Sequence, residues 1–273
     1  MKKLLPVFIV IFALAFVFAG VMLVRELTQR EKEISEFQEL AELVAVPRLT
    51  TPERETPDGE EATSPAGQPQ TEQKPQTSEK PQSGSKTQPV VRNLQPLFER
   101  NSDCVGWVYI ADTKINYPVM HTPREPERYL KKNFDGKRSA AGVPFLEGLC
   151  TLRSDNLIIY GHNMKNGTMF AGITKYKNES YWQTHPTIEF ETADGVRQYQ
   201  IFAAVRLKMD DGWYDFRIAK TEEEHLRQVT RIKEMALYDT GITPAYGQQM
   251  ITLSTCHGAK DEDRMILIAV EIN

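Results

Sequence analysis

The spacing of apolar residues in this chain predicts a mainly antiparallel β-barrel with helical insertions, preceded by a membrane-crossing helix and a disordered linker. From Leu94 onward, short β-branched and aromatic runs alternate with turn residues, and one long amphipathic helix falls late among them. Ahead of them stand 21 uncharged residues, Leu4–Val24, followed by a stretch dominated by Pro, Ser, Thr and Gln.

The chain has 273 residues, 40% hydrophobic and 26% charged, which suits one or two globular domains. Its net charge of −4 gives no basic footprint for nucleic acid. Leu4–Val24 is long enough to cross a hydrocarbon core of about 30 Å as a helix. A cleaved signal peptide is the rival reading, but the apolar run continues past the small-residue site Ala13-Leu14-Ala15. Lys2 and Lys3 are offset by Arg25, Arg30 and Lys32, so charge only weakly favours a cytoplasmic amino end at 1–3.

Residues 25–46 read as a juxtamembrane helix, a solvated stalk with Leu27, Ile34, Phe37, Leu40 and Val44 at near-heptad spacing. Eight of the sixteen prolines then fall between Pro47 and Pro89, and residues 47–92 lose almost all large apolar groups. Such a composition cannot bury enough surface to fold, so it reads as a disordered tether. Residues 1–92 are accordingly expected to be dispensable for whatever chemistry the chain performs, leaving 93–273 as the globular body with one core.

Within that body, Leu94–Glu99 reads as a short helix, and Val105–Ile110 and Ile115–Met120 as strands around the turn Asp112-Thr113-Lys114. A helical turn at Tyr129-Leu130 and a short strand at Val143–Leu146 follow. Asn156–Tyr160 is an apolar strand that runs into Gly161-His162-Asn163, which puts His162 at a strand end. Gly167–Tyr176 reads as loop and short helix, and Thr187–Glu191 and Arg197–Leu207 as strands. Glu222–Tyr238 sets Leu226, Val229, Ile232, Met235 and Ala236 on one helical face after the cap Thr221.

The last two strands carry the chemistry. Met250–Thr255 alternates in period two, so Cys256 ends a strand on its more polar face, and Met265–Ile272 reads as the partner strand. Antiparallel pairing of the two would make Cys256 and Arg264 neighbours. A thiol attacks only as thiolate, and a free pKa of about 8.5 calls for a cation or a base nearby. Arg264 could supply that cation and present N–H donors to an oxyanion. For Cys256 alone, a buried inert thiol is the competing reading.

Among the histidines, His121 and His185 lie in polar loops, His225 falls on the exposed face of the late helix, and His257 follows Cys256 directly. The three cysteines, Cys104, Cys150 and Cys256, show no CxxC and no paired-histidine spacing, so no metal is expected. Cys104 and Cys150 could pair as a disulfide or remain core thiols. Glycine patterns for nucleotide binding are missing, and no cofactor is expected.

The segments YGHNMKNGTMF at 160–170 and TLSTC at 252–256, with Arg264 eight residues beyond the cysteine, resemble the class B sortases. CVGWVYI at 104–110, INYPVMH at 115–121 and RYLKKNF at 128–134 extend the resemblance over residues 93–273. It implies an eight-stranded sortase barrel on the outer face of a Gram-positive membrane, acting as a cysteine transpeptidase. Cys256 would be the nucleophile, His162 the general acid and base, and Arg264 the oxyanion stabiliser, with Tyr160, Ser254 and Thr255 near the substrate groove. The implied partners are surface proteins bearing an NPxT-like sorting signal and an amine acceptor from a cell-wall precursor or a pilin lysine. Many members carry Asn where this chain has Pro126. A cysteine hydrolase using the same thioester, or a tethered binding module with an incidental thiol, are the competing functions.

Overall fold

The computed structural model of the chain describes residues 5–45, 92–256 and 263–272; of residues 5–13, Glu26, Arg30 and Cys256 it describes the backbone alone. Contacts divide the chain into one body made of 1–46 with 91–273, and a second unit, 47–90. That second unit, where the disordered tether was expected, lies outside the described residues, as do His257 and the rest of the loop at 257–262.

Eight strands close into a barrel among the described residues: β1 (Cys104–Tyr109), β2 (Asn116–Met120), β3 (Phe145–Leu146), β4 (Asn156–Tyr160), β5 (Thr187–Thr192), β6 (Gly195–Lys208), β7 (Met250–Cys256) and β8 (Asp263–Ile272). Their order around the barrel is β1-β2-β3-β4-β7-β8-β6-β5, and the β1–β5 pairing closes it. Antiparallel pairing dominates, as the sequence suggested, but β2–β3 and β4–β7 are parallel. Pro118, which lacks an N–H, is tolerated in β2 because β3 meets that strand only at Met120↔Phe145.

Both faces of the strands are buried, against separate cores. Ile251, Leu253, Leu267 and Ala269 join Trp107, Ile158 and Phe190 in the larger cluster. Met250, Ile266, Ile268 and Val270 of the same strands pack outward against Trp213, Phe216 and helix α4 (Glu222–Met235). This is why β8 reads as a nearly continuous apolar run, whereas β7 alternates because Thr252 and Ser254 on its outer face are hydrogen-bonded to Trp213 and Tyr214. Thr221 caps α4 by accepting from the Glu224 N–H at 3.1 Å, as expected. The buried stripe is His225, Val229 and Ile232, however, while Leu226 is exposed. His225 displaces Leu226 from the expected face because its ring fits against Phe216 and Tyr246, and Nε2 reaches the Pro244 carbonyl at 3.3 Å.

The helix α1 (Leu5–Val44) corrects the expectation of a solvated stalk. Phe37, Leu40 and Val44 are buried in the barrel's larger cluster beside Leu97 of α2 (Gln95–Arg100). Phe37 meets the Tyr117 ring edge-on at 5.1 Å, and Glu33, only 5% exposed, accepts from Ser139 Oγ and the Ala140 N–H. A near-heptad stripe on an otherwise charged helix reads equally well as self-association or as docking onto a barrel, and here it is docking. Among the described residues no helix is long and apolar enough to cross a membrane; of the stretch 4–24, residue 4 lies outside them and residues 5–13 are described by their backbone alone.

Candidate functional site

Parallel pairing of β4 with β7 places Tyr160 opposite Ser254, so both chains leave the sheet at the same rim. His162 follows two residues after Tyr160, and Cys256 two residues after Ser254. The Gly161 N–H donates to the Ser254 carbonyl at 3.0 Å, which extends the ladder one step toward the rim. Gly161 is required there, since a Cβ would stand 2.6 Å from the Phe170 ring. On the other side of β7, the antiparallel ladder with β8 sets Cys256 opposite Arg264. Three adjacent strands thus deliver the three candidate catalytic residues to one edge of the barrel.

A cleft of about 640 Å³ opens at that edge, lined by residues that include Tyr160, His162, Ser254, Thr255 and Arg264. Every site residue expected from the sequence therefore lines it, apart from Cys256, whose side chain lies outside the described residues. A further wall, beside His162, comes from Leu130 and Lys131 of the 3₁₀ turn Arg128–Lys131 and the residues just before it, Pro126 and Glu127; Phe145, Glu147, Gly148 and Met209 also line the cleft.

His162 is half-buried, and its Nε2 lies 2.7 Å from the Leu130 carbonyl. A carbonyl can only accept, so Nε2 carries a proton and Nδ1 is the nitrogen left to exchange one. The orienting partner that the sequence did not reveal is thus a main-chain oxygen. Gly142 lets the chain pack against it: with φ at +61°, its Cβ position falls 2.6 Å from both the Tyr129 and Leu130 oxygens.

The half-buried Arg264 donates to the Asp263 carbonyl at 3.2 Å, and its other terminal nitrogen lies 3.1 Å from Met209 Sδ. Ser254, fully buried, shares a 2.8 Å hydrogen bond with Tyr214 OH. The Tyr214 ring stacks on Tyr160 at 5.9 Å, and Tyr160 leans on Phe145 at 5.6 Å. Burial, reinforced by Tyr214 and Glu147, pushes the Tyr160 phenol above its usual range and keeps it neutral. Thr255 is 2% exposed, and its Oγ1 has no hydrogen-bond partner among the described residues. Sequence reasoning missed Tyr214 and Met209; the aromatic run GWYDF at 212–216 was the available signal for the former.

Cys104 and Cys150 are free, buried thiols, which settles their reading as core residues. Burial pushes each up to about 12. Neither lines the cleft.

A closed eight-stranded barrel with a thiol, a histidine and an arginine at one rim defines a cysteine transferase of sortase type, and the comparisons agree. The family model described as the sortase domain matches residues 108–272. The chain belongs to the sortase family, the cysteine transpeptidases, and its relatives place it in class B. It is 33% identical over 178 residues to sortase B of Listeria monocytogenes, covering 64% of this chain and 70% of that one. It is 28% identical over 186 residues to sortase B of Staphylococcus aureus, covering 65% and 75%. The Staphylococcus aureus sortase B–substrate complex superposes with a TM-score of 0.62 at 26% identity, covering 66% of this chain and 84% of that one.

Proposed function

We propose that this transpeptidase is membrane-anchored through residues 4–24 with its catalytic body outside the cell. It cleaves an NPxT-like sorting signal near the carboxyl end of surface proteins and passes the acyl group to an amine of the cell wall or of a pilin. Cys256 is the nucleophile. Its thiolate attacks the Thr carbonyl carbon, and the oxyanion that forms is held by the N–H fork of Arg264. As the C–N bond breaks, imidazolium His162 protonates the leaving amine, and a thioester remains. An incoming amine then attacks the thioester, gives its proton to His162 and expels the Cys256 thiolate.

The observation that supports this reading is the rim itself, where His162 and Arg264 line one cleft and the β7–β8 ladder sets the backbone of Cys256 opposite Arg264. The test is mass spectrometry of the full-length chain with a sorting peptide, with and without an amine. Transpeptidated product that needs the amine and is lost in Cys256→Ala is expected. Hydrolysed product alone would make the protein a hydrolase, and unchanged peptide would remove the proposed substrate.

A further inference from the structure

Beside the cleft lies a second depression of about 480 Å³, lined by Glu127, Arg128, Leu130, Lys131, Lys132 and Arg138. Four of its six lining residues are cations, in a chain of net charge −4. The backbone holds them there. Lys132 and Arg138 face each other in an isolated antiparallel bridge, and the turn between them is closed by the Asn133 N–H to the Lys137 carbonyl at 2.7 Å. The Ser139 N–H donates to the Lys131 carbonyl at 3.0 Å, continuing the same narrow ribbon.

Like charges opposite each other on paired backbone are destabilising. Arg128 has Asp103 and Glu125 at 3.9 Å, but Lys131, Lys132 and Arg138 have no ion-pair partner among the described residues. The fold therefore keeps a concave site of net positive charge, with four cations against the one lining carboxylate of Glu127. A concave site of one sign attracts and concentrates an anion.

Its place says which substrate that anion belongs to. The groove and the cleft share Glu127, Leu130 and Lys131, and the groove takes no residue from β7 or β8. The shared wall is the one whose Leu130 carbonyl holds His162. A group bound in the groove thus reaches the cleft from the histidine side, where the incoming amine must surrender its proton.

We propose that this groove docks an anionic group, phosphate or carboxylate, carried by the amine acceptor that resolves the thioester. The inference rests on the transpeptidase reading above. Docking leaves the chemical step unchanged: the amine nitrogen still bonds to the thioester carbon, sulfur still leaves as thiolate, and His162 still takes the proton. It raises the local concentration of the acceptor.

The test uses the full-length chain, one sorting peptide and three acceptors: triglycine amide, triglycine followed by two glutamates, and triglycine followed by phosphoserine. Both acidic acceptors, or one of them, are expected to show a KM about tenfold below the neutral one, as two to four partly exposed charge pairs would give. Whichever arm gains identifies carboxylate or phosphate as the group. The advantage should vanish in about 0.5 M salt. It should also vanish in Lys132→Glu/Arg138→Glu, while acylation and the neutral acceptor stay within about twofold. Lys132→Gln/Arg138→Gln, expected to lose part of the advantage, serves if charge reversal prevents folding.

Equal KM values for all three acceptors would overturn the inference, as would an acidic preference that survives the substitutions. Binding to phosphatidylglycerol vesicles that the substitutions abolish, without any acceptor preference, would assign the groove to the membrane and also overturn it. No product from any acceptor would instead sink the transpeptidase reading.

Discussion

Cys256, the last residue of β7, stands directly opposite Arg264 in the antiparallel ladder with β8. Cα atoms so paired lie about 4.5–5.5 Å apart, so the backbone fixes the guanidinium's base beside the nucleophile's. If the planar N–H fork is what the oxyanion needs, an ammonium cannot replace it. Arg264→Lys is expected to lower acylation by a sorting peptide about 10²–10³-fold, the usual cost of one lost oxyanion donor. Alkylation of Cys256 by a small reagent should continue. An acylation rate within a few-fold of wild type would show that charge alone suffices.

The three thiols should differ sharply in reactivity. With Cys104 and Cys150 pushed up to about 12 by burial, neither offers thiolate at neutral pH. Iodoacetamide at pH 7.5 is expected to modify the native chain at Cys256 alone, and all three sites in urea; peptide mapping reads this directly. The same shifts set an alkaline limit. A folded-state pKa raised above the unfolded value gives stability that is complete below about pH 9 and is lost as pH climbs toward 12. Cys104→Ala/Cys150→Ala should flatten the decline of melting temperature across that window, to which the buried tyrosines also contribute.

The docking of α1 yields a prediction about truncation. A chain beginning at Val90 would lose Phe37, Leu40 and Val44 from the core, together with the Glu33 bonds to Ser139 and Ala140. Each large buried side chain removed costs about 2–5 kcal/mol where the site cannot collapse. The truncated protein is therefore expected to melt at least about 10 °C below one that begins at Gln29 and keeps the helix. Equal melting temperatures would return α1 to the status of a stalk.

Legibility in the sequence followed burial. Asn156–Tyr160 could be read to the residue and β8 nearly so, because strands buried on both faces are near-unbroken apolar runs between turns, while β7 was legible through its period-two alternation. The Cys256–Arg264 pairing could also be foreseen, since a short connection between two strands implies an antiparallel ladder. The parallel β4–β7 pairing could not, because period-two alternation says nothing about the direction of a neighbour. Nor could the Leu130 carbonyl behind His162: a main-chain oxygen has no sequence signature. His225 was misplaced because a histidine counts as polar in a periodicity argument, yet its ring packs like an aromatic one.

Thr255 offers the last test, because its hydroxyl has a different value to the fold and to a bound peptide. Oγ1 is buried in the cleft wall without a partner among the described residues, and such a group costs the folded state about 1–3 kcal/mol. Thr255→Val keeps the shape and β-branching and removes the hydroxyl, so stability should hold or rise by up to about that amount. If instead the hydroxyl waits for a carbonyl or amide of the sorting peptide, the same substitution should raise KM for the peptide about tenfold and leave the alkylation rate of Cys256 unchanged. Tyr214→Phe is the contrasting case. It strands the buried Ser254 Oγ that Tyr214 OH now satisfies at 2.8 Å, so melting temperature should fall while the Thr255 hydroxyl stays in place. Urea melts and peptide titrations on the two variants separate the roles: a Thr255→Val protein that is more stable and weaker for peptide fits a hydroxyl held for substrate, whereas one that is more stable with unchanged KM leaves Thr255 no part in binding.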